Sequence, residues 1–376
     1  SYSLSAGTLN LTGATFTLNG GMDWIGASTI SSGTLIIVSG TTLNILNDVI
    51  HTLRAAIDNQ GTTNFNTGAG VNPLTINLGG VFNNNGIFDF QTDADIVRNS
   101  TNSTGTFNNN SGAQIIKAGG TGISSIGSSL AVTSSDSIIN ASSGFIQLQG
   151  ATFNGTLTNS GSNLQLDTPT FAAGSIISGN VDLVAGTLIN QGTTTLNGIF
   201  DWSSASTFSG GTFVIAPGST LNILNDVIHT LRATIDNQGT TNFNTGAGVN
   251  PLTINLGGVF NNNGIFDFQT DADIVRNSTN STGTFNNNSG AQIIKAGGTG
   301  ISSIEAAIAF SNTGATVDIQ TGTLSLGGSA LTLDTGSILS GSGIFSGNVI
   351  NNGGTMQPGG SAAIGTLSIT GNYTQN

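Results

Sequence analysis

The sequence has no cysteine in 376 residues, which excludes disulfide bonds, zinc–thiolate sites and thiol nucleophiles together. Cationic residues are also scarce, since six Lys and Arg stand against 18 Asp and Glu for a net charge of −12. Nucleic acids and anionic lipid surfaces are bound through clustered Lys and Arg, so neither class of partner is expected. No stretch approaches the roughly 18 consecutive apolar residues of a membrane-spanning helix, so direct membrane insertion is not expected either.

Charge of either sign is rare, because charged residues make up 6% of the chain against about 25% in an average globular domain. Disordered chains generally carry high charge and few β-branched residues, and this sequence does not fit that class. The 56 Gly lack the strict three-residue period of collagen. The composition therefore favours a folded chain that differs from ordinary globular domains.

The strongest feature of the sequence is an internal duplication. Residues Leu43–Ile126 recur at Leu221–Ile304 with an offset of 178 positions, and only Ala56 and its counterpart Thr234 differ. The match continues upstream more loosely, with Asp-Trp pairs ending at Trp24 and Trp202. Self-similarity at a fixed period is typical of repeat architectures.

A shorter period lies inside each copy. The frames Ile57–Gly61, Phe82–Gly86 and Phe107–Ser111 superpose at a spacing of 25 residues, and each has Asn at its centre. Between the frames apolar and polar residues alternate, as in Leu74-Thr75-Ile76-Asn77-Leu78. This is the period of a β-strand rather than of a helix.

Short alternating strands separated by Asn-Gly turns at a near-constant interval predict an all-β fold, a parallel β-helix (β-solenoid) of about fifteen to eighteen coils. Asn and Gly are expected at the corners because they tolerate left-handed backbone angles. The central Asn of successive frames would then hydrogen-bond along the axis as a ladder, whereas the alternative is that they only occupy exposed turns. The predicted ladder residues are Asn59, Asn84, Asn109, Asn237, Asn262 and Asn287.

The segment Asn47–Asp58 is ambiguous between helix and strand. Val49, Ile50, Leu53 and Ile57 have helix-like spacing, but His51, Leu53 and Ile57 also belong to a strand alternation. The segment runs without interruption into the first Asn-Gly frame, so we predict a strand.

The closing stretch carries a resemblance to a known family. GTMQPGGS at Gly354–Ser361 leads to GTLSITGNYTQ at Gly365–Gln375, and this text resembles the passenger-associated repeats of bacterial autotransporter proteins. The specific likeness covers about Val349–Asn376, and the rest of the chain is similar in style to the Asn-Gly-rich β-solenoid repeats of bacterial surface adhesins. The resemblance implies a right-handed parallel β-helix, located outside the cell or on the bacterial cell surface.

The duplication and the resemblance together divide the chain into three segments. We predict a first solenoid repeat unit at residues 1–178, a second and near-identical unit at 179–304, and passenger-repeat-like coils at 305–376.

Acidic residues form one cluster per copy, and they are weak candidates for calcium binding. Carboxylate oxygens suit Ca²⁺, and alternate positions such as 93 and 95 face the same way on a strand. The glycine-rich nonapeptide of calcium-binding β-rolls is missing, so the alternative is solvated loop carboxylates, with Arg98 or Arg276 balancing their charge. No other metal or cofactor is expected. The candidate residues are Asp89, Asp93, Asp95, Asp267, Asp271 and Asp273.

Other residue types give little support for catalysis. His51 and His229 are the only imidazoles, one per copy, which provides neither a zinc ligand set nor a Ser-His-Asp arrangement. Trp24 and Trp202 are interpreted as core residues, with sugar stacking as the alternative. All six cations lie at matching positions in the two copies, so a catalytic centre would have to occur twice.

We therefore predict an extracellular structural β-solenoid, a cell-surface stalk, adhesin or self-assembling fibre without catalysis. The expected partners are other copies, associating end to end, and glycans or host and matrix surfaces. The alternative is a polysaccharide-binding or polysaccharide-cleaving β-helix protein. An ice-binding array is disfavoured because Thr62-Thr63 and Thr193-Thr194-Thr195 do not continue at constant spacing.

Overall fold

A computed structural model describes residues 1–68, 74–99, 103–127, 129–161, 163–246, 252–276, 281–360 and 364–376. The chain divides into two compact units, Ser1–Asp182 and Leu183–Asn376. In the described part of both units every regular element is a β-strand. Accordingly, no described segment forms a helix that is long and apolar enough to span a bilayer.

The strands of the first unit are two to eleven residues long. They are β1 (Tyr2–Leu4), β2 (Gly7–Asn10), β3 (Thr15–Leu18), β4 (Met22–Trp24), β5 (Ser28–Ile37), β6 (Thr42–Leu46), β7 (His51–Asn59), β8 (Thr62–Asn66), β9 (Leu74–Ile76), β10 (Gly80–Asn84), β11 (Ile87–Phe90), β12 (Ile96–Val97), β13 (Gly105–Asn109), β14 (Gln114–Lys117), β15 (Ile123–Ile126), β16 (Ala131–Ala141), β17 (Phe145–Gln149), β18 (Thr152–Asn159), β19 (Leu164–Asp167), β20 (Thr170–Phe171) and β21 (Ser175–Ala185), whose last residues belong to the second unit.

The second unit continues with strands of similar length. They are β22 (Thr187–Asn190), β23 (Thr193–Trp202), β24 (Thr207–Ile215), β25 (Thr220–Leu224), β26 (His229–Asn237), β27 (Thr240–Asn244), β28 (Leu252–Ile254), β29 (Gly258–Asn262), β30 (Ile265–Phe268), β31 (Ile274–Val275), β32 (Gly283–Asn287), β33 (Gln292–Lys295), β34 (Ile301–Ser303), β35 (Ala309–Asn312), β36 (Thr316–Ile319), β37 (Thr323–Ser325), β38 (Leu331–Asp334), β39 (Ile338–Gly341), β40 (Ile344–Ser346), β41 (Val349–Asn352), β42 (Thr355–Pro358), β43 (Ser368–Ile369) and β44 (Tyr373–Gln375).

Three parallel ladders form the walls of the first unit, and each coil of the chain contributes a strand to each wall. The first face contains β1, β4, β6, β8, β11 and β14. The second contains β2, β9, β12, β15, β17 and β19, and the third contains β3, β10, β13 and β20, while long strands such as β5 and β7 serve both. This is the topology of a parallel β-solenoid, in which each coil is stabilised by its neighbours.

The second unit has the same three faces, and its main sheet is interrupted on the second and the third of them. On the second face only a single bridge in the described part of the chain, Ile274 with Ile304, links β31 to the next coil, and a separate ladder of β34, β37, β40 and β43 follows. The first face runs without a break from β23 through β25, β27, β30, β33, β36 and β39 to β42. On the third face the parallel ladder ends at β35, and a separate ladder of β38, β41 and β44 follows. The sheet is therefore open between β35 and β38.

The core is built from inward rows of equivalent side chains. In β10 the side chain of Phe82 is fully buried whereas Val81 is partly exposed, as strand alternation requires. Phe82 lies on Phe107 of the next coil, with ring centroids 5.3 Å apart and ring planes at 5°. Full burial of one such side chain stabilises a fold by about 1.5–3 kcal/mol, so the rows hold the coils together.

Two segments test the alternation that the sequence suggests. The ambiguous segment is a strand from His51 onward, and the inward residues of β7 include Leu53 and Ile57, which confirms the strand prediction. The prediction for Leu78 was wrong, because β9 ends at Ile76 and Leu78 lies in a turn with φ of 50° and 60% exposure. The turn places its side chain outside the core.

The glycine of the Asn-Gly frame is required by close approach of two coils, and not by a left-handed backbone as the sequence suggested. A Cβ added to Gly86 would lie 2.2 Å from the carbonyl oxygen of Gly61 in the preceding coil. Gly61 has the same constraint, because its Cβ would lie 2.3 Å from the oxygen of Thr41. Neither glycine has a positive φ.

The strands form about 16 solenoid turns in total, within the range that the sequence predicts. The all-β, parallel solenoid architecture and the repeat character are thus confirmed. The handedness and the segment boundaries at residues 178 and 304 stay predictions.

Candidate functional site

The predicted ladder residues of the first copy lie at the corner between the third and the first faces. Asn59, Asn84 and Asn109 end the strands β7, β10 and β13, and none of them is more than 1% exposed. Asn59 Nδ2 donates to Asn84 Oδ1 at 2.8 Å, and Asn84 Nδ2 donates to Asn109 Oδ1 at 2.7 Å. Two of these amides also donate to a carbonyl oxygen at the start of a first-face strand. Asn59 Nδ2 donates to Ile87 O at 2.9 Å, and Asn84 Nδ2 donates to Gln114 O at 2.8 Å. The amides therefore join successive coils and also fasten the corner.

The second copy has the same arrangement and one further member. Asn237 Nδ2 donates to Asn262 Oδ1 at 2.8 Å, and Asn262 Nδ2 donates to Asn287 Oδ1 at 2.9 Å. Asn287 Nδ2 then donates to Oδ1 of Asn312 at 2.8 Å. Asn312 was missed by the sequence reasoning because its surroundings, Phe310-Ser311-Asn312-Thr313, lack the Asn-Gly frame, although the spacing of 25 from Asn287 is a signal for it.

Each ladder ends where the neighbouring coil offers no amide. Asn59 Oδ1 has no hydrogen-bond partner among the described residues, because Ile37 occupies the position before it. Asn109 Nδ2 likewise has none, and the residue beyond it is Ser134. A buried polar atom without a partner costs about 1–3 kcal/mol, so the ends are the weak points of each ladder.

The three acidic candidates of the first copy bind different protein donors. Asp89 Oδ1 accepts from Ala118 N at 3.2 Å, and Asp95 Oδ1 accepts from both Ser125 N at 2.8 Å and Ser125 Oγ at 2.7 Å. Asp93 Oδ1 forms an ion pair with the ammonium group of Lys117, at an Nζ–Oδ1 distance of 2.8 Å. Among the described residues, no group of three or more His, Asp or Glu side chains is placed to hold a metal ion. Calcium binding stays an untested prediction.

A buried lysine is the partner of Asp93, where the sequence analysis had suggested Arg98. Alternation along β14 directs Lys117 inward, and its side chain has no exposed surface. Nζ donates to Thr92 O at 2.7 Å, to Asp93 Oδ1 at 2.8 Å and to Ser124 Oγ at 2.9 Å. All three protons of the ammonium are thereby satisfied, as a buried charge requires.

The second copy repeats this arrangement around Lys295. Its Nζ donates to Thr270 O and to Asp271 Oδ1, both at 2.9 Å, and also to Gly297 O. The two lysine–aspartate pairs are the ion pairs found among the described residues. Arg276 instead donates Nη1 to Ser281 O at 2.9 Å.

The lysines lower the pKa of the carboxyl groups that they contact, whereas burial raises the pKa of a carboxyl group. The hydrogen bond from Lys117 holds the pKa of Asp93 below its ordinary value. Burial works to raise the pKa of Asp271, but the hydrogen bond from Lys295 and a backbone bond from Gly300 outweigh it, and that pKa is lowered. Burial raises the pKa of Asp267. Asp93 and Asp271 are therefore held as carboxylates.

The only imidazoles pack against the tryptophans in the core. His51 is fully buried with its ring 5.1 Å from that of Trp24, and its Nε2 lies 2.9 Å from Leu46 O. Trp24 is also fully buried and donates Nε1 to Ser28 Oγ at 2.7 Å. Burial lowers the pKa of His51, which keeps the imidazole neutral.

The second copy again matches. Trp202 and His229 are fully buried with ring centroids 5.0 Å apart, and His229 Nε2 lies 2.8 Å from Leu224 O. Burial lowers the pKa of His229 to about 4. Both tryptophans lie in the core, so neither presents a ring to solvent for stacking on a sugar.

The groups described above share one feature. The ladder amides, the two lysine ammonium groups and the two imidazoles are buried, and hydrogen bonds join them to the coils around them. The sequence matches no protein-family model and no curated protein sequence. The repeat β-helix architecture therefore rests on the geometry of the strands themselves.

Proposed function

We propose that this protein is a non-catalytic structural β-solenoid of the extracellular space or bacterial cell surface, which serves as a stalk, adhesin or self-assembling fibre. The observation that carries the proposal is the in-register stacking of equivalent side chains from coil to coil. Phe82 lies over Phe107, and Asn84 over Asn109, in the pairing of β10 with β13. In such a molecule the buried polar side chains serve to hold successive coils together.

The position of the ionisable groups supports a role without catalysis. Catalytic acids and bases need access to a substrate. Lys117 and His51 have no exposed surface, and both are engaged by protein atoms. Their counterparts in the second copy, Lys295 and His229, are equally buried.

The outer surface supports a role outside the cell. Along the outside of the first face, Asn64 Nδ2 donates to Asn44 Oδ1 at 2.9 Å, and Asn44 Nδ2 donates to Asp23 Oδ1 at 2.7 Å. Rows of amides and hydroxyls give a polar surface of low charge, and the chain has no Cys. The resemblance of the closing stretch to autotransporter passenger repeats agrees with this location.

Location is tested on intact cells that produce the protein. We expect brief protease treatment of intact cells to release peptides of this chain, as detected by mass spectrometry, while a cytosolic enzyme stays intact. Recovery of the peptides only after cell lysis would show that the extracellular part of the proposal is wrong.

Association between copies follows from the same stacking rule. Strands with the sequences GVFNN and GTFNN already pair in parallel register within one chain, so like pairs with like. We expect purified full-length protein to form larger oligomers, seen in sedimentation velocity, as its concentration rises. We also expect filaments by electron microscopy. A single monomeric species at all concentrations would rule out the fibre and leave the stalk or adhesin.

A further inference from the structure

The opening on the third face of the second unit forms a cavity. Strands β35 and β38 follow one another on this face but do not pair, and a cavity of about 260 Å³ lies between them. In the first unit the strands at the same place, β16 and β18, pair in parallel register at Thr133 with Thr152, Ser134 with Phe153 and Ser135 with Asn154. The cavity is thus a local departure from the regular stacking of the solenoid.

The residues that line the cavity lie just beyond the duplicated block. The block ends at Ile304, and the next strand carries Phe310 and Asn312 where the first unit has Val132 and Ser134. The first unit therefore provides a closed counterpart of the same corner.

The lining combines an aromatic ring, an amide, hydroxyls and one carboxylate. Phe310 is partly exposed there, while on its other side it stacks on Phe285 with centroids 6.2 Å apart. Asn312 is 8% exposed, and its Nδ2 has no hydrogen-bond partner among the described residues. Thr332 and Asp334 line the opposite side of the cavity.

Hydrogen-bonding capacity remains on both sides. Ser311 Oγ donates to Asn286 Oδ1 at 2.8 Å, which leaves its oxygen free to accept. Asp334 Oδ1 accepts from Asn352 Nδ2 at 3.1 Å, so its other oxygen is open to a further donor. An occupant with several hydroxyl groups can donate to the Ser311 hydroxyl and to the carboxylate at once.

We propose that this cavity binds a neutral saccharide unit. The hydroxyl groups of a sugar match the hydroxyls and the carboxylate of the lining, and its C–H groups match the Phe310 ring. The volume of about 260 Å³ is just below the roughly 300–1,000 Å³ of sites for drug-sized ligands, which limits the occupant to about one sugar residue. The proposal goes beyond the structural role above and does not depend on where the protein is located.

Other occupants fit the cavity less well. A strand inserted between β35 and β38 would need them about 9.6 Å apart, twice the usual spacing of about 4.8 Å, but their Cα atoms approach within 8 Å. Among the described residues that line the cavity there is no Lys, Arg or His, which disfavours an anionic ligand. A single carboxylate is a poor site for a divalent cation.

The test is saturation-transfer NMR on the full-length protein with glucose, galactose, mannose and N-acetylglucosamine and their disaccharides. We expect at least one sugar to receive saturation from the protein. Replacement of Thr332 by Arg (T332R) fills the mouth of the cavity from an outward position, and we expect it to weaken binding at least tenfold. The double variant F310V/N312S installs the residues of the first unit, and we expect a similar loss.

The control is Thr133→Ala on β16, the outward position of the closed counterpart, which should leave sugar binding unchanged. No saturation transfer to any sugar would overturn the proposal and leave a water-filled gap. Binding that survives unchanged in T332R would place the sugar elsewhere and would also overturn it. Binding of the β35 peptide AFSNT in place of a sugar, lost in T332R, would identify a strand as the occupant instead.

Discussion

The buried amides show how single residues determine the path of this chain. A strand that leaves the third face must turn into the first face, and the buried amide at this corner hydrogen-bonds to groups beyond the turn. Asn84 Nδ2 donates to Gln114 O, at the start of a first-face strand, and also to the amide of Asn109. A hydrophobic residue at this corner would fill the same space but would leave Asn109 Oδ1 buried without this donor, at a cost of about 1–3 kcal/mol.

Replacement of Asn84 by Ala should therefore reduce the free energy of unfolding by about 2–3 kcal/mol, because it removes bonds to Asn59, Asn109 and Gln114. Urea denaturation followed by circular dichroism measures this. The control is Asn83→Ala on the same strand, whose outward amide accepts one hydrogen bond among the described residues, from Asn108 Nδ2. We expect the control to change stability by less than about 0.5 kcal/mol. Equal effects at the two positions would contradict a special role of the buried ladder.

The buried imidazole of His229 makes stability depend on pH. Its pKa falls from 6.5 to about 4 on folding, so between these values the unfolded chain binds a proton that the folded chain does not. Stability from this group is complete above about pH 7.5 and is lost as pH falls toward 4, by up to about 3 kcal/mol.

His229→Gln removes the titrating group, and the amide can still donate to Leu224 O. The difference in unfolding free energy between wild type and this variant should shrink between pH 7 and pH 4, as measured by urea denaturation at each pH. His51→Gln in the first unit should show the same sign, because burial lowers that pKa as well. A pH-independent difference would contradict a neutral buried imidazole.

The sequence predicts the ladder well because its signal is periodic. The spacing of 25 residues is the length of one coil, so Asn59, Asn84 and Asn109 lie at the same corner. The sequence does not predict that Lys117 is buried, because lysine is usually exposed. The alternation that directs Lys117 inward includes only one other inward residue of β14, Ile115. The side-chain partners of Asp93 depend on the loop path, and periodicity does not encode that path.

At the scale of elements, the Lys117–Asp93 pair fastens the loop after β11 to strand β14 of the next coil. The loop residues Thr92 and Asp93 both accept from the same ammonium, and Gly122 N donates to Asp93 as well. The two partners differ in exposure, since the side chain of Asp93 is 29% exposed and that of Lys117 is not exposed at all. This difference predicts unequal consequences of removing either partner.

Asp93→Ala should destabilise the protein by about 3 kcal/mol, because it leaves a buried ammonium without its counter-charge. Lys117→Met should cost less, since methionine fills the apolar part of the space and the remaining carboxylate can be hydrated. Urea midpoints of the two variants measure the order. An equal or reversed order would mean that packing of the lysine stem, rather than its charge, dominates.

At the scale of the whole molecule, parallel stacking makes each coil depend on the coils next to it. The duplication, the alternation and the Asn frames were enough to predict this architecture, because one coil cannot bury its inward face alone. The gap between β35 and β38 could not be predicted, since Phe310 and Asn312 of β35 repeat the Phe and Asn positions of the regularly paired β32. It depends on the length and path of the segments between them, for which no repeat provides a template.

Because each coil is stabilised by its neighbours, the effect of a destabilising substitution in the first unit should decrease with distance from the substituted coil. Asn84→Ala in β10 should reduce amide hydrogen-exchange protection most in the adjacent β7 and β13 and progressively less with each further coil. Peptides from Leu43–Ile126 have the same sequence as peptides of the second copy, so exchange is measured in segments outside this block. Strand β5 lies two coils from β10 on one side, and β18 lies three coils from β10 on the other. We expect a larger loss of protection in β5 than in β18, and the control Asn83→Ala should change neither. Equal loss in both segments would mean that the first unit unfolds as one cooperative body rather than coil by coil.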